Sequence, residues 1–463
     1  MNKLFFIATA VTLCFTTSLF SQSKQSQGWK AGVARVVITP EYPMWMAGYA
    51  SRDHPSEGTL HDLWAKALAL EDANGKKVLL ITSDIVGFSK ILSDRIRDRI
   101  TAKYGLTQAQ IALNSSHTHT GPEVDLEKFK WRMENPDPEQ VKKIVQYNKK
   151  LENDVVALAG KALGSMQPVN IYTQNGVARF QVNRRNNPES SINTVIDLNG
   201  PNDYSVPVIK IVNSEGKMIA VAFGYACHAT VLSFYQWSGD YPGFAQLELE
   251  KYYPETTALF FQGAGADQNP LPRRTVALAK QYGQELAAAV ERVLHEDMRE
   301  LSPVLSTAYS EISLHFSTPP AKAELLKIEK NSSGVQKNWA RHMLKILASG
   351  KPLLTSHPYP LQVWRLGEQP VMILGGELTV DYAIRLKEIF GRDIFVLGYS
   401  NDPNMAYIPS LRILNEGGYE GETSQQAKGL PSKWAPDIEQ LIMTEMVRLA
   451  GKAGVKQAAA NNF

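Results

Sequence analysis

The feature that most constrains this chain is an unbroken alternation of strand-like and helix-like segments from Gly32 to Ala450, without an internal repeat or a low-complexity linker. Residues 34–38, 111–113, 258–261, 304–316, 372–374 and 394–397 are short β-branched or apolar runs of strand type. Residues 65–70 and 77–81 flank Asp72-Ala-Asn-Gly75, and residues 208–212 and 218–225 flank Asn213-Ser-Glu-Gly216; both read as hairpins closed by turn residues. Helical spacing of apolar residues predicts helices over 89–104, 139–163, 276–294, 321–347, 380–390 and 437–450. Such alternation predicts one large α/β domain, a mixed β-sheet flanked by helices. The expected domain covers residues 28–455, followed by a flexible tail at 456–463.

Composition narrows the class. Lys and Arg number 49 against 46 Asp and Glu, a formal net charge of +3, so bulk charge gives no reason to expect a nucleic-acid partner. The first residues, Met1-Asn2-Lys3, precede an apolar and small-residue run to Phe20 and a polar Ser21-Gln22-Ser23-Lys24. This three-part pattern predicts a signal peptide at 1–22 and export to a periplasm or beyond the cell. Leu13 stands before Cys14 where a lipid-attachment site has a small residue, so no lipid anchor is expected. No second apolar run reaches spanning length, so no transmembrane anchor is expected in the mature chain. Removal of the leader leaves Cys227 as the single cysteine. That excludes an internal disulfide framework and a multi-cysteine metal site, and leaves His, Asp, Glu and Tyr as the available transition-metal ligands.

The strongest local signal is Asn114-Ser-Ser-His117-Thr-His119-Thr-Gly-Pro122, which begins where the 111–113 strand ends. Residues i and i+2 of an extended chain share a face, so both imidazoles can enter one cleft. Loops after strand ends are where α/β proteins place their sites. His228 follows the strand at 218–225, and Ser238-Gly-Asp240 then opens a tight loop before a helix. Glu377 follows the strand at 372–374 behind Gly375-Gly376, glycines that permit close backbone approach. Read singly, His228 is a hydrogen-bonded core histidine and Glu377 a carboxylate at a helix N-terminus. His61 and Asp84 are weaker candidates for the cleft. His54, His295, His315, His342 and His357 are assigned no role.

Taken in order, these segments resemble the neutral (non-lysosomal) ceramidase family of zinc amidases. The resemblance rests on His117-Thr-His119-Thr-Gly-Pro122, Asn183-Arg184, Cys227-His228 with Ser238-Gly-Asp240, Gly375-Gly-Glu377, and Ala406-Tyr407-Ile408 followed by Tyr419-Glu-Gly421. It implies one Zn2+ per chain held by His117, His228, Glu377 and the Tyr407 hydroxyl. His119 is then the catalytic neighbour of the metal, and Arg184 and Tyr419 hydrogen-bond the amide or the acyl product. Asp240 and Asp267 are candidate supporting carboxylates, with Asp267 read first as a structural cap. Two departures stand out. The family's Gly-Asp-Val-Ser-Pro-Asn segment corresponds to Gly265-Ala-Asp-Gln-Asn-Pro270, which has no serine, so a serine role does not transfer. The family's C-terminal β-sandwich domain is expected to be absent here.

The resemblance implies hydrolysis of N-acylsphingosine (ceramide) to a fatty acid and sphingosine. Two alternatives remain open at this level: an exported zinc deacylase or deacetylase for another N-acyl substrate, such as an amino sugar, and a non-catalytic metal-binding relative. The expected partner in each enzymatic case is a small N-acyl molecule, a lipid among the options.

Overall fold

The computed structural model describes residues 28–133, 135–195, 197–401 and 406–458. The leader expected at 1–22 and residues 459–463 of the expected tail lie outside the described residues.

Eight strands build the larger sheet: β1 (Trp29–Val37), β2 (Trp64–Glu71), β3 (Lys77–Ser83), β4 (Ile111–Ser115), β5 (Gln167–Val177), β6 (Ser205–Asn213), β7 (Met218–Tyr225) and β8 (Thr257–Gln262). They pair in the order β8-β7-β6-β5-β1-β2-β3-β4, and the short strand Arg299–Glu300 adds beside β5. The β3/β4 and β7/β8 pairs are parallel and the others antiparallel, a mixed sheet as expected. A second sheet follows from β9 (Leu305–His315), β10 (Ser356–Leu366), β11 (Gln369–Leu374) and β12 (Phe395–Leu397), paired in chain order with β11/β12 parallel.

Alternating side chains sort these strands into four layers. In β2, Leu68 and Leu70 pack with Ile209, Ile211, Leu259 and Phe261 against Trp364, Leu366, Val371 and Ile373 of the second sheet. The intervening Ala65, Ala67 and Ala69 pack outward against helices α1 (Lys90–Tyr104) and α3 (Pro138–Gly164). Helices α4 (Asp240–Tyr252) and α5 (Val276–Leu294) cover β6, β7 and β8. Helix α8 (Val380–Phe390) and the closing helix Ile438–Lys452 cover the outer face of the second sheet. The two sheets therefore meet face to face with helices outside. Burial on both faces explains why the strands read as nearly continuous apolar runs rather than clean alternations.

Helices α3 and α5 match their expected spans because their ends are marked. Asp137 caps α3 by accepting from the Glu139 N–H, with Pro138 in the first turn; Thr275 caps α5 by accepting from the Leu278 N–H. The single helix expected over 321–347 is instead two, Lys322–Asn331 (α6) and Gly334–Ala348 (α7). The break falls at Ser332 and Ser333, both in extended backbone that stops α6 and leads into α7, whose first residue Gly334 takes φ +56°. Strands β5 and β10 have no counterpart in the sequence reading. In β10, Pro358 and Pro360 pair only with β9; β11 joins the strand from Leu361 onward. Their missing N–H groups thus fall where the strand has one neighbour, the place a sheet accepts proline.

The larger sheet curls until its two edge strands meet, and Asn114 at the end of β4 closes the gap. Its Oδ1 accepts from the Gln262 N–H of β8 at 2.8 Å, while its Nδ2 donates to the Gly398 carbonyl at 2.8 Å and to Ser400 Oγ at 3.0 Å. One buried amide thus joins both edges of the first sheet to the strand end of the second. Replacing it leaves several buried backbone groups unpaired, each costing about 1–3 kcal/mol. Asn114→Ala is expected to lower the unfolding free energy by about 3 kcal/mol in urea titrations, with the m-value unchanged; an unaltered midpoint would show that the junction carries no stability.

Candidate metal centre

The curled sheet brings the ends of β4, β7, β8, β11 and β12 to one place. His117 stands two residues past β4, at φ +58°. A non-glycine residue in this region costs on the order of 1–3 kcal/mol and persists only where its surroundings enforce it. The enforcement is visible. Thr118 and Thr120 hydroxyls both donate to the Ser238 carbonyl, at 2.7 and 2.8 Å, and the His119 N–H donates to the Ala229 carbonyl at 3.1 Å. The two threonines of the motif therefore fasten it to the loop that follows His228. Asp240, itself at φ +56°, closes that loop by accepting from the Val231, Leu232 and Tyr241 N–H groups.

Glu377 and Tyr407 are brought side by side by a two-residue parallel ladder, Glu377–Leu378 against Tyr407–Ile408. Gly376 makes this possible. It takes φ +71°, and a Cβ there would lie 2.7 Å from the Ala406 carbonyl oxygen, so only glycine fits the turn.

The result is a buried convergence of acceptor atoms. Nε2 of His117 and Nε2 of His228 each lie 3.3 Å from Glu377 Oε2, and Tyr407 Oη lies 3.4 Å from His228 Nε2. His117, His228 and Glu377 are each at most 1% exposed. The far nitrogens are anchored on backbone carbonyls: His117 Nδ1 on Val86 at 2.6 Å and His228 Nδ1 on Gly265 at 2.7 Å. Each Nδ1 must donate to its carbonyl, so a neutral ring presents a bare Nε2 lone pair to the carboxylate. Oε2 has no hydrogen-bond donor among the described residues. Lone pairs facing one another at this distance repel unless a cation lies among them. Edges of 3.3 Å are those of a tetrahedron with ligand distances of about 2.0 Å, the spacing of zinc with imidazole and carboxylate. The residues present therefore fit a small divalent cation.

His119 differs. Its Nε2 faces His117 Nε2 at 3.1 Å, so the three imidazoles could together hold a metal ion. Its Nδ1, however, is buried without a partner among the described residues. Its ring packs edge-on to Tyr49, with centroids 4.8 Å apart, and against Gly48, where a Cβ would lie 2.5 Å from the ring. Burial and the two neighbouring imidazoles hold its pKa well below the usual histidine range.

Behind the acceptors stands a layer of cations. Burial would raise the Glu377 pKa, but Lys428, donating to Oε1 at 2.6 Å, outweighs it and holds the carboxyl well below its usual range. Arg184 donates to Tyr407 Oη at 3.0 Å and to Glu420 Oε1 at 2.7 Å. Burial keeps the Tyr407 hydroxyl well above its usual pKa against the pull of Arg184. Tyr419 is half exposed, its ring 5.2 Å from that of Tyr407 and under the Arg184 guanidinium. His117, His119, Glu377, Tyr407, Arg184 and Tyr419 all line one cleft of about 250 Å³.

The remaining candidates stand elsewhere. Asp267 Oδ1 accepts from the Val380 N–H, its Oδ2 from Asn183 Nδ2, and its carbonyl from the Arg184 N–H. It ties helix α8 to the Asn183-Arg184 segment and touches no imidazole among the described contacts. His61 bonds Ser238 Oγ at 3.0 Å, and Asp84 accepts from the Trp64 N–H at 3.0 Å; both support the loops and neither lines the cleft. Lys428, Gly48 and Glu420 belong to the site although the sequence reading did not assign them. Glu420 sits inside the Tyr419-Glu-Gly421 motif and was findable there. Lys428 has no local signature.

Burial, with Arg184 adding to it, pushes the His228 pKa from its ordinary 6.5 down to about 4. In metal-free protein the unfolded chain then binds the extra proton between those values. Stability is fully present above pH 6.5 and lost as pH falls toward 4; His119 acts in the same direction. Metal-free protein is expected to be about 2 kcal/mol less stable at pH 5 than at pH 7 in urea titrations. A flat profile would contradict neutral, buried imidazoles.

The family described as neutral/alkaline non-lysosomal ceramidase, N-terminal, matches residues 29–288, more than half of the chain. Neutral ceramidase 1 of Arabidopsis thaliana is 23% identical over 290 residues, 60% of this chain and 36% of that protein. Neutral ceramidase B of Dictyostelium discoideum is 24% identical over 220 residues, 44% of this chain and 29% of that one. The matched stretches thus span about a third of these relatives. The crystal structure of neutral ceramidase from Pseudomonas aeruginosa superposes with TM-score 0.70 at 18% identity, over 94% of this chain and 77% of that one, a likeness of fold. The chain belongs to the neutral/alkaline non-lysosomal ceramidase family.

Proposed function

We propose that this chain is a zinc-dependent amidohydrolase that cleaves an N-acyl bond, with one zinc ion held by His117, His228, Glu377 and the Tyr407 hydroxyl. The observation that carries the reading is the pair of imidazoles whose Nδ1 atoms are fixed on carbonyls while their Nε2 atoms converge on Glu377 Oε2. Such outer hydrogen bonds are the usual companions of metal-ligating histidine. A zinc ion there would supply Lewis acidity, acidifying water and polarising an amide carbonyl.

The protein's own groups do the rest. His119 lacks a carbonyl anchor and is neutral, so it is free to take a proton from attacking water and pass it to the departing amine nitrogen. Arg184 and Tyr419, on one side of the cleft, hydrogen-bond the substrate carbonyl as it becomes an oxyanion. Lys428 keeps Glu377 ionised. The names of the relatives make N-acylsphingosine the first substrate to test, with a fatty acid and sphingosine as products. The leader read at residues 1–22 makes export part of the same proposal. The chief rival is a non-catalytic metal binder of the same fold; stoichiometric zinc without turnover of any N-acyl compound would favour it.

Two variants separate ligand from proton carrier. His117→Ala is expected to lose both zinc, by mass spectrometry of purified protein, and turnover. His119→Ala is expected to keep zinc and lose about 10²–10⁴ in kcat. Loss of zinc from His119→Ala with retention in His117→Ala would reverse the two roles.

A further inference from the structure

The cleft is far more cationic than hydrolysis of a neutral amide requires. Among the described residues, Lys128, Arg132, Arg184, Arg273 and Lys428 line it, and Glu377 is the one carboxylate of the lining. Neighbouring acids offset this only in part. Glu420 is shared between Arg184 and Arg185, and Glu189 between Arg273 and Arg274. Lys128 and Arg132 lie one turn apart on helix α2 (Leu126–Arg132) and face the same space. The Lys128 side chain is 7% exposed, and its nearest carboxylate oxygen, on Glu123, is 3.6 Å away. Arg132 has no carboxylate partner among the described residues. Glu123 and Asp125 thus offset Lys128, and the charge of the helix left without a carboxylate is that of Arg132; a cation placed so is stabilised by a ligand that brings an anion.

The lining is also poor in hydrocarbon. Among the described residues around the cleft, Val86 is the one branched aliphatic, and no Leu, Ile, Met or Phe is present. The volume of about 250 Å³ lies below the roughly 300–1,000 Å³ of pockets that take drug-sized ligands. The described lining offers little room and little apolar wall for the two long hydrocarbon chains of an N-acylsphingosine.

We propose that the amide taken here is a short-chain N-acyl compound carrying an oxyanion (a carboxylate, sulfonate or phosphate) that Lys128 and Arg132 bind. This rests on the amidohydrolase reading and specifies its substrate class. The reaction is ordinary hydrolysis: water adds across the C–N bond, the acyl carbon becomes a carboxylate, and the nitrogen leaves as an amine carrying the proton.

The test uses the zinc-loaded full chain and five amides with the same hexanoyl group: those of glycine, taurine, ethanolamine phosphate, ethanolamine and sphingosine. The anionic members are expected to exceed N-hexanoylethanolamine by about tenfold or more in kcat/KM, chiefly through KM, with the difference shrinking as salt rises. The best of the three anions identifies the oxyanion. Lys128→Met and Arg132→Gln are each expected to narrow the anionic-to-neutral ratio severalfold. Equal use of neutral and anionic amides, or preference for the sphingosine amide, would overturn the inference while leaving the amidohydrolase reading intact. Turnover of none would sink the latter instead; calorimetric binding of the uncleaved anionic amides, expected and weakened by Arg132→Gln, would then decide the anion site, and its absence would overturn it.

Discussion

Two imidazole nitrogens with free lone pairs are each held 3.3 Å from one carboxylate oxygen in the dry interior of this protein. Left to themselves these atoms repel, and each would rather face water. Everything notable about the fold near this point serves to hold them together. The left-handed backbone at His117, the threonine bonds to Ser238, the carboxylate of Asp240 closing the loop behind His228, and the glycine turn before Glu377 are four separate restraints on one cluster. Backbone strain concentrated in this way is characteristic of functional sites.

The four-layer architecture explains how the restraints meet. Glu377 and Tyr407 lie at the end of the second sheet, whereas His117 and His228 follow strands at or near opposite edges of the first. The curl of the first sheet closes that distance, and Asn114, three residues before His117, joins both edges to the second sheet. The candidate metal centre is thus assembled by tertiary structure rather than by any one loop, with Lys428 from a later turn beside Glu377.

That assembly also decides what the sequence could reveal. His117, His228, Glu377 and Tyr407 were legible because each follows a recognisable strand end or sits in a motif that resembles the family. The spans of α3 and α5 were legible because proline and side-chain caps mark their ends. Other features depend on contacts between distant segments. Lys428 is an ordinary lysine until Glu377 is placed beside it, and Gly48 an ordinary glycine until His119 packs against it. Strand β10 was hidden by Pro358 and Pro360, which are acceptable only because β11 begins pairing at Leu361. The helix pair α6–α7 read as one helix because apolar spacing continues across the two extended residues Ser332 and Ser333.

The proposed division is between two anchored histidines that would hold a metal ion and a third that would not. X-ray absorption at the zinc edge of the purified chain tests it directly. Two imidazoles with oxygen ligands making up the rest of a four-coordinate shell is the expected result. A shell of three imidazoles, with His119 among them, or a protein that takes up no zinc, would contradict it.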